Sequence, residues 1–115
     1  MLTEKDYCDY DTCVALKELG YDDSTDLRYN SYGSLGDFLG GIKAPSLYEA
    51  QKWLREKENI IVDVFVDDDS DTPITYNIYK DGECVCHHHG KYWSVKEWSE
   101  SLSKGIKEAV KILKK

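Results

Sequence analysis

"IIVDVFVDDDSDTPITYNIYKDGECVCHHHGKYW", residues 60–93, decides the fold because it reads as three consecutive strands. Ile60, Val62, Val64 and Val66 alternate with Ile61, Asp63, Phe65 and Asp67, a period of two with one cleanly apolar face. Ile74, Tyr76 and Ile78 then alternate with Thr75, Asn77 and Tyr79. Asp81-Gly82 is a two-residue hairpin signal, since both positions of a type I′ turn need positive φ. A regular ladder from that turn pairs Tyr79 with Cys84, Ile78 with Val85, Tyr76 with His87 and Ile74 with His89. It sends Val85, His87 and His89 to the core face and Cys84, Cys86 and His88 to the other.

Helices flank these strands. "APSLYEAQKWLREKEN" carries a breaker in Pro45, an S-x-x-E capping box in Ser46 and Glu49, and Leu47, Ala50, Gln51 and Leu54 on one face. Trp53 and Tyr48 fall to either side of that face, marking a contact surface or packing beneath residues 22–45. "SVKEWSESLSKGIKEAVKILKK" has a second box in Ser94 and Glu97, with Val95, Trp98, Leu102, Ile106, Ala109 and Leu113 stepping by three or four. "DYDTCVALKELGYD" reads as a first helix capped by Asp9 and ended at Gly20. Between them, Gly33, Gly36, Gly40 and Gly41 fall within nine residues; Leu27–Ser31 is expected to be a strand and the rest an ordered surface loop. The expected fold is one α+β domain over residues 1–115: a three-stranded antiparallel sheet with about three helices on one face, in the order α, short β or loop, α, β, β, β, α.

Composition narrows the function. The net charge of -7 opposes direct binding of nucleic acid, which calls for a basic face. The charge is uneven, with five Lys and one Glu in residues 104–115, where cations suit the end of a helix. No apolar run approaches membrane-spanning length. The chain begins "MLTEKDYC" with no secretory pattern, so a cytoplasmic protein with reduced thiols is expected.

"CVCHHH" suggests metal ligands, and Cys84, Cys86 and His88 are the set that shares a face in the regular register. C-x-C on a flat strand lacks the turn-borne spacing of closed zinc sites, and a fourth ligand would have to come from Cys8 or Cys13. The expectation is that no metal and no cofactor is bound. Asp67, Asp69 and Asp71 mimic the start of a calcium loop, yet its sixth position is Thr72 and its twelfth Ile78, which excludes an EF-hand. "GSLGDFLGG" lacks the Gly-Lys-Ser/Thr end of a phosphate loop. No cysteine sits in a catalytic signature, so a non-catalytic protein is expected.

Leu19 to Asp22, the Ala-Pro-x-Leu start at Ala44 to Leu47, Gln51 to Glu56 within its helix, and Gly105 to Ala109 form a pattern. In it the chain resembles small uncharacterised proteins encoded by prophages and mobile elements of gut bacteria. The resemblance implies an α+β fold and a mobile-element setting; it implies no reaction and no catalytic residue. With the composition it leads to the expectation of a small interaction module with a protein partner. Two alternatives stand beside it: an acidic mimic of DNA that inhibits a nucleic-acid-binding protein, and a metal protein using Cys84, Cys86 and His88. Oligomeric state is open, since an edge strand either pairs with its symmetry mate in a homodimer or is covered by residues 22–45.

Overall fold

The structure, a computed structural model, describes residues 3–66, 74–89 and 95–114, and of these the side chains at all positions except 66, 74, 88, 89 and 95–97. The elements in chain order are a 3-10 turn (Glu4–Asp6), α1 (Tyr10–Glu18), β1 (Leu27–Tyr29), β2 (Leu35–Gly36), β3 (Ile42–Ala44), α2 (Leu47–Glu58), β4 (Ile60–Val66), β5 (Ile74–Lys80), β6 (Glu83–His89) and α3 (Val95–Lys114). The α+β class and the long sheet agree with the sequence reading. The single sheet does not: the strands form two antiparallel sheets, ordered β2-β1-β3 and β4-β5-β6.

The smaller sheet comes from the glycine-rich segment. Gly41 needs φ +96, and a Cβ there would lie 2.2 Å from the Tyr29 carbonyl oxygen, so only glycine lets β3 come back beside β1. Asn30 closes the β1–β2 turn by accepting from the backbone N–H of Tyr32 and Ser34, both at 2.9 Å. Short side-chain-driven turns of this kind leave no alternating apolar run, which is why one strand alone, Leu27–Ser31, was expected here; the structure ends it at Tyr29.

The helix caps follow the sequence. Asp9 accepts from the Thr12 N–H at 2.8 Å to start α1, and Gly20 takes φ +104 just past its end. Ser46 accepts from the Glu49 N–H at 3.1 Å while Glu49 accepts from the Ser46 N–H at 2.9 Å, completing the capping box of α2. Ser46→Ala is expected to remove about 1 kcal/mol of stability by chemical denaturation; an unchanged midpoint would mean that the box contributes nothing. Asn59 ends α2 in the left-handed region (φ 52), and its amide donates to the Asp81 carboxylate at 2.9 Å. The end of α2 is thus tied to the β5–β6 turn, where Asp81 and Gly82 both have positive φ, as type I′ demands. The expected Ser94–Glu97 box and the acidic stretch 67–71 lie outside the described residues or side chains.

Ile60, Val62 and Val64 on β4 and Tyr76 and Ile78 on β5 turn one face of the large sheet to the core. Helices α2 and α3 pack there, supplying Leu47, Ala50, Trp53 and Leu54 from α2 and Leu102, Ile106, Ala109 and Val110 from α3. Helix α1 packs chiefly on β3 and α3 instead, so the expected layer of three helices on one sheet face is corrected to two. The ion pairs Asp9–Lys107, at 2.7 Å, and Glu18–Lys114 run between α1 and α3. Burial pushes the Asp9 carboxyl up, but the Lys107 ammonium and the Thr12 N–H outweigh it and hold the group below its ordinary value.

Candidate functional site

A register shift in β6 fixes the geometry of the Cys/His strand. The ladder starts as the sequence suggests, with Lys80 opposite Glu83 and Tyr79 opposite Cys84. It then skips Val85: Ile78 faces Cys86, Asn77 faces His87, Tyr76 faces His88 and Thr75 faces His89. Two residues of β6 therefore oppose one of β5, a β-bulge, and every position beyond it changes face. The expected face assignment is corrected accordingly. Val85 is 46 % exposed, while Cys86 is half-buried against the core beside Ile78.

The set Cys84, Cys86 and His88 is not brought together by this register. Cys84 stands at an outward position, and Cys86 and His88 stand at positions opposite the buried Ile78 and Tyr76. Cys8 and Cys13 are far from serving as spare ligands, each being 1 % exposed. They occupy the positions just before the Asp9 cap and in the fourth residue of α1, where two apolar side chains ordinarily staple the start of a helix. The Cys13 thiol donates to the Cys8 carbonyl at 3.5 Å, and the Tyr29 hydroxyl donates to the same oxygen at 2.8 Å. A hydrogen bond with Cys13 and then burial push the Cys8 thiol well above its ordinary value. Buried thiols of this kind are inert.

The bulge assembles a polar cluster on the other side of the sheet. The Asn77 amide nitrogen donates to the Tyr79 hydroxyl at 3.0 Å, so the Asn77 oxygen is the atom that meets Nδ1 of His87. Cys84, opposite Tyr79, and His87, opposite Asn77, share this outer face and are both exposed. In an unbulged strand residues 84 and 87 would point to opposite faces. Asn77 and Tyr79 were not singled out in the sequence, where they read as outward spacers. The available signal was Asn at the centre of a strand, a residue depleted from strands unless something there pairs with it.

Alkylation by iodoacetamide reports this arrangement. In the folded protein Cys84 is expected to react at once, half-buried Cys86 more slowly because burial pushes its thiol up, and Cys8 and Cys13 roughly 1,000-fold more slowly, through unfolding. Equal rates at Cys84 and Cys86, read by peptide mass spectrometry, would be inconsistent with the bulge.

Of the proposed contact pair, Tyr48 is 47 % exposed but Trp53 is 5 % exposed and packs edge-on against Tyr21, ring centroids 5.4 Å apart. Trp53 belongs to the core, and the ring it meets, Tyr21, lies just before the 22–45 segment under which it was expected to pack. The carboxylates of the described residues lie on the 3-10 turn, at the cap of α1, on α1 and α2, in the connection from α1 to β1 (Asp22, Asp23 and Asp26), at Asp37, on β4, in the β5–β6 turn, on β6 and on α3, and Asp9, Glu18, Glu56 and Asp81 are paired with lysines. Shallow grooves of about 510 and 820 Å³ flank the Asp9–Lys107 pair and are lined in part by lysines. Among the described residues no three His, Cys, Asp or Glu side chains gather to hold a metal ion, and no helix is long and apolar enough to cross a membrane.

Fold and site together define a small α+β protein with two three-stranded antiparallel sheets, the larger one covered by helices on one side and bearing a thiol, imidazole and amide cluster on the other. Compared with protein-family models, with curated proteins and with solved structures, the chain finds no match.

Proposed function

We propose that the protein is a small, non-catalytic, cytoplasmic binding module of phage or mobile-element origin that engages a protein partner through the outer face of the β4-β5-β6 sheet. One observation carries the reading. Helices α2 and α3 occupy one face of this sheet, while the other presents Ile61 at 43 % exposure beside half-buried Phe65 and Tyr79, with Val85 46 % exposed on the neighbouring edge strand. A face that mixes aliphatic, tyrosyl and amide groups with few charges has the composition of an interface centre. Its β6 edge is bent by the bulge, a device that discourages strand-to-strand self-association. The mobile-element setting rests on the resemblance of the Ala44 to Leu47 and Gly105 to Ala109 segments.

The acidic-mimic reading has less support, since Asp9, Glu18, Glu56 and Asp81 are each paired with a lysine. Capture from a gut-bacterial lysate by the wild-type chain and by the Ile61→Lys and Val85→Lys variants separates the two. A partner held by the wild type and lost from both variants supports the sheet face. Retention of the same proteins by all three chains counts against it, and a nucleic-acid-binding protein released from all three by salt alone transfers support to the mimic.

A further inference from the structure

A pocket of about 240 Å³ lies between α1, the α1–β1 connection and the small sheet, and its lining holds Lys17, Arg28 and Lys43 against a single carboxylate, that of Asp22. Arg28 and Lys43 are register partners on β1 and β3, so their side chains leave one face of the sheet directly opposite each other. Like charges in that relation destabilise a sheet. The chain holds 22 Asp and Glu, yet none of the described ones forms an ion pair with Lys17, Arg28 or Lys43. We propose that this pocket binds a small phosphate dianion, free or as the phosphoryl group of a small ester, with Arg28, Lys43 and Lys17 as its cationic contacts.

Half-buried Arg28 gives none of its guanidinium N–H donors to a described residue, and their fork matches two oxygens of a phosphoryl group. The Lys43 ammonium donates to the Asp22 backbone carbonyl, which holds it in place and leaves further N–H donors for a ligand. Gly41 adds no side chain to fill the space, and the Cys13 thiol is turned to the Cys8 carbonyl. Three cations against one carboxylate suit the charge of a phosphate monoester, close to -2 at neutral pH, better than that of a single carboxylate. The pocket is smaller than the roughly 300–1,000 Å³ that drug-sized ligands occupy, so it has room for the phosphoryl group and a short skeleton. None of these residues belongs to the outer face of the β4-β5-β6 sheet, so the pocket and that docking face stand or fall separately.

The test is isothermal titration calorimetry of the full chain, under reductant and at fixed ionic strength, with inorganic phosphate, phenyl phosphate and a phosphoserine peptide as probes. The expected result is one equivalent of a small probe bound; tighter binding of phenyl phosphate assigns the site to an ester, and the reverse order assigns it to the free ion. Arg28→Gln should weaken that binding by more than about 10-fold, through loss of a charge-assisted pair of hydrogen bonds, and Lys43→Gln by about 5-fold. Lys52→Gln removes the same charge from the exposed side of α2 and should leave binding unchanged. Thermal midpoints give a second readout and show that each variant is folded. Without phosphate Arg28→Gln should melt above wild type, because the opposed charges are relieved, and phosphate should raise the midpoint of wild type but not of Arg28→Gln. Absence of binding by both small probes overturns the proposal, as do equal losses from Lys43→Gln and Lys52→Gln. A midpoint rise of equal size in wild type and Arg28→Gln overturns it by marking the general effect of a kosmotropic salt. Binding of the phosphoserine peptide alone overturns it too, in favour of a phosphorylated protein partner.

Discussion

Gly105→Leu is expected to destabilise the fold by about 3 kcal/mol, although it replaces a poor helix former with a good one. Gly105 lies in the middle of α3, where exposed glycine costs a helix about 1 kcal/mol relative to alanine, so helix propensity alone favours substitution. The packing forbids it. A Cβ at this position would sit 2.5 Å from Cγ1 of Val62 and 3.3 Å from Cδ1 of Tyr76. Val62 is 0 % exposed, and as a β-branched residue it has little rotamer freedom with which to retreat. Helix α3 reaches the sheet this closely because residue 105 has no side chain, and the burial of Ile106, Ala109 and Val110 depends on that approach. Gly105→Ala gains propensity and loses to overlap, with a net loss of about 1 kcal/mol. Removing the obstacle should help: in the cycle of Gly105→Leu with Val62→Ala, the double variant is expected to be more stable than the sum of the single losses by about 1 kcal/mol or more. Denaturant midpoints that show Gly105→Leu at or above wild-type stability would contradict the close approach.

Leu54→Ala is the second large effect, an expected loss of about 3 kcal/mol. Leu54 is 0 % exposed on α2, the helix that packs on both β4 and α3, so the cavity left behind is walled by three elements and cannot easily collapse. Its neighbour Lys52 provides the control. Lys52 and Glu56 form an exposed pair at 4.0 Å, and Lys52→Ala is expected to stay within about 0.5 kcal/mol of wild type. Similar losses at residues 52 and 54 would mean that α2 is not docked by the face described.

The same helix shows how far the sequence could be read. Ser46, Glu49, Leu47, Ala50 and Leu54 announced α2 because its capping and its apolar stripe are local properties. Gln51 was placed on the apolar stripe and Trp53 beside it. In the fold Trp53 is buried, and Gln51 is half-buried with its amide donating to the Val62 carbonyl at 2.6 Å, because the stripe is rotated toward Tyr21 by packing between elements distant in sequence. Asp81-Gly82 likewise announced its turn, since positive φ at both positions leaves few alternatives. The bulge at Val85 had no such marker. It needs no glycine, costs one skipped residue, and exchanges Val85 for Cys86 beside Ile78, two side chains that periodicity cannot tell apart. The small sheet was hidden for a related reason: β1, β2 and β3 have three, two and three residues, too short to display alternation.

That single skipped residue determines which side chains of β6 share the outer face and underlies the polar cluster. Cross-strand nuclear Overhauser contacts in the folded chain test it most directly. The bulged register predicts contacts joining Ile78 to Cys86 and Asn77 to His87. Contacts joining Tyr76 to His87, with none joining Asn77 to His87, would show an unbroken ladder, return Cys84 and His87 to opposite faces, and contradict the account.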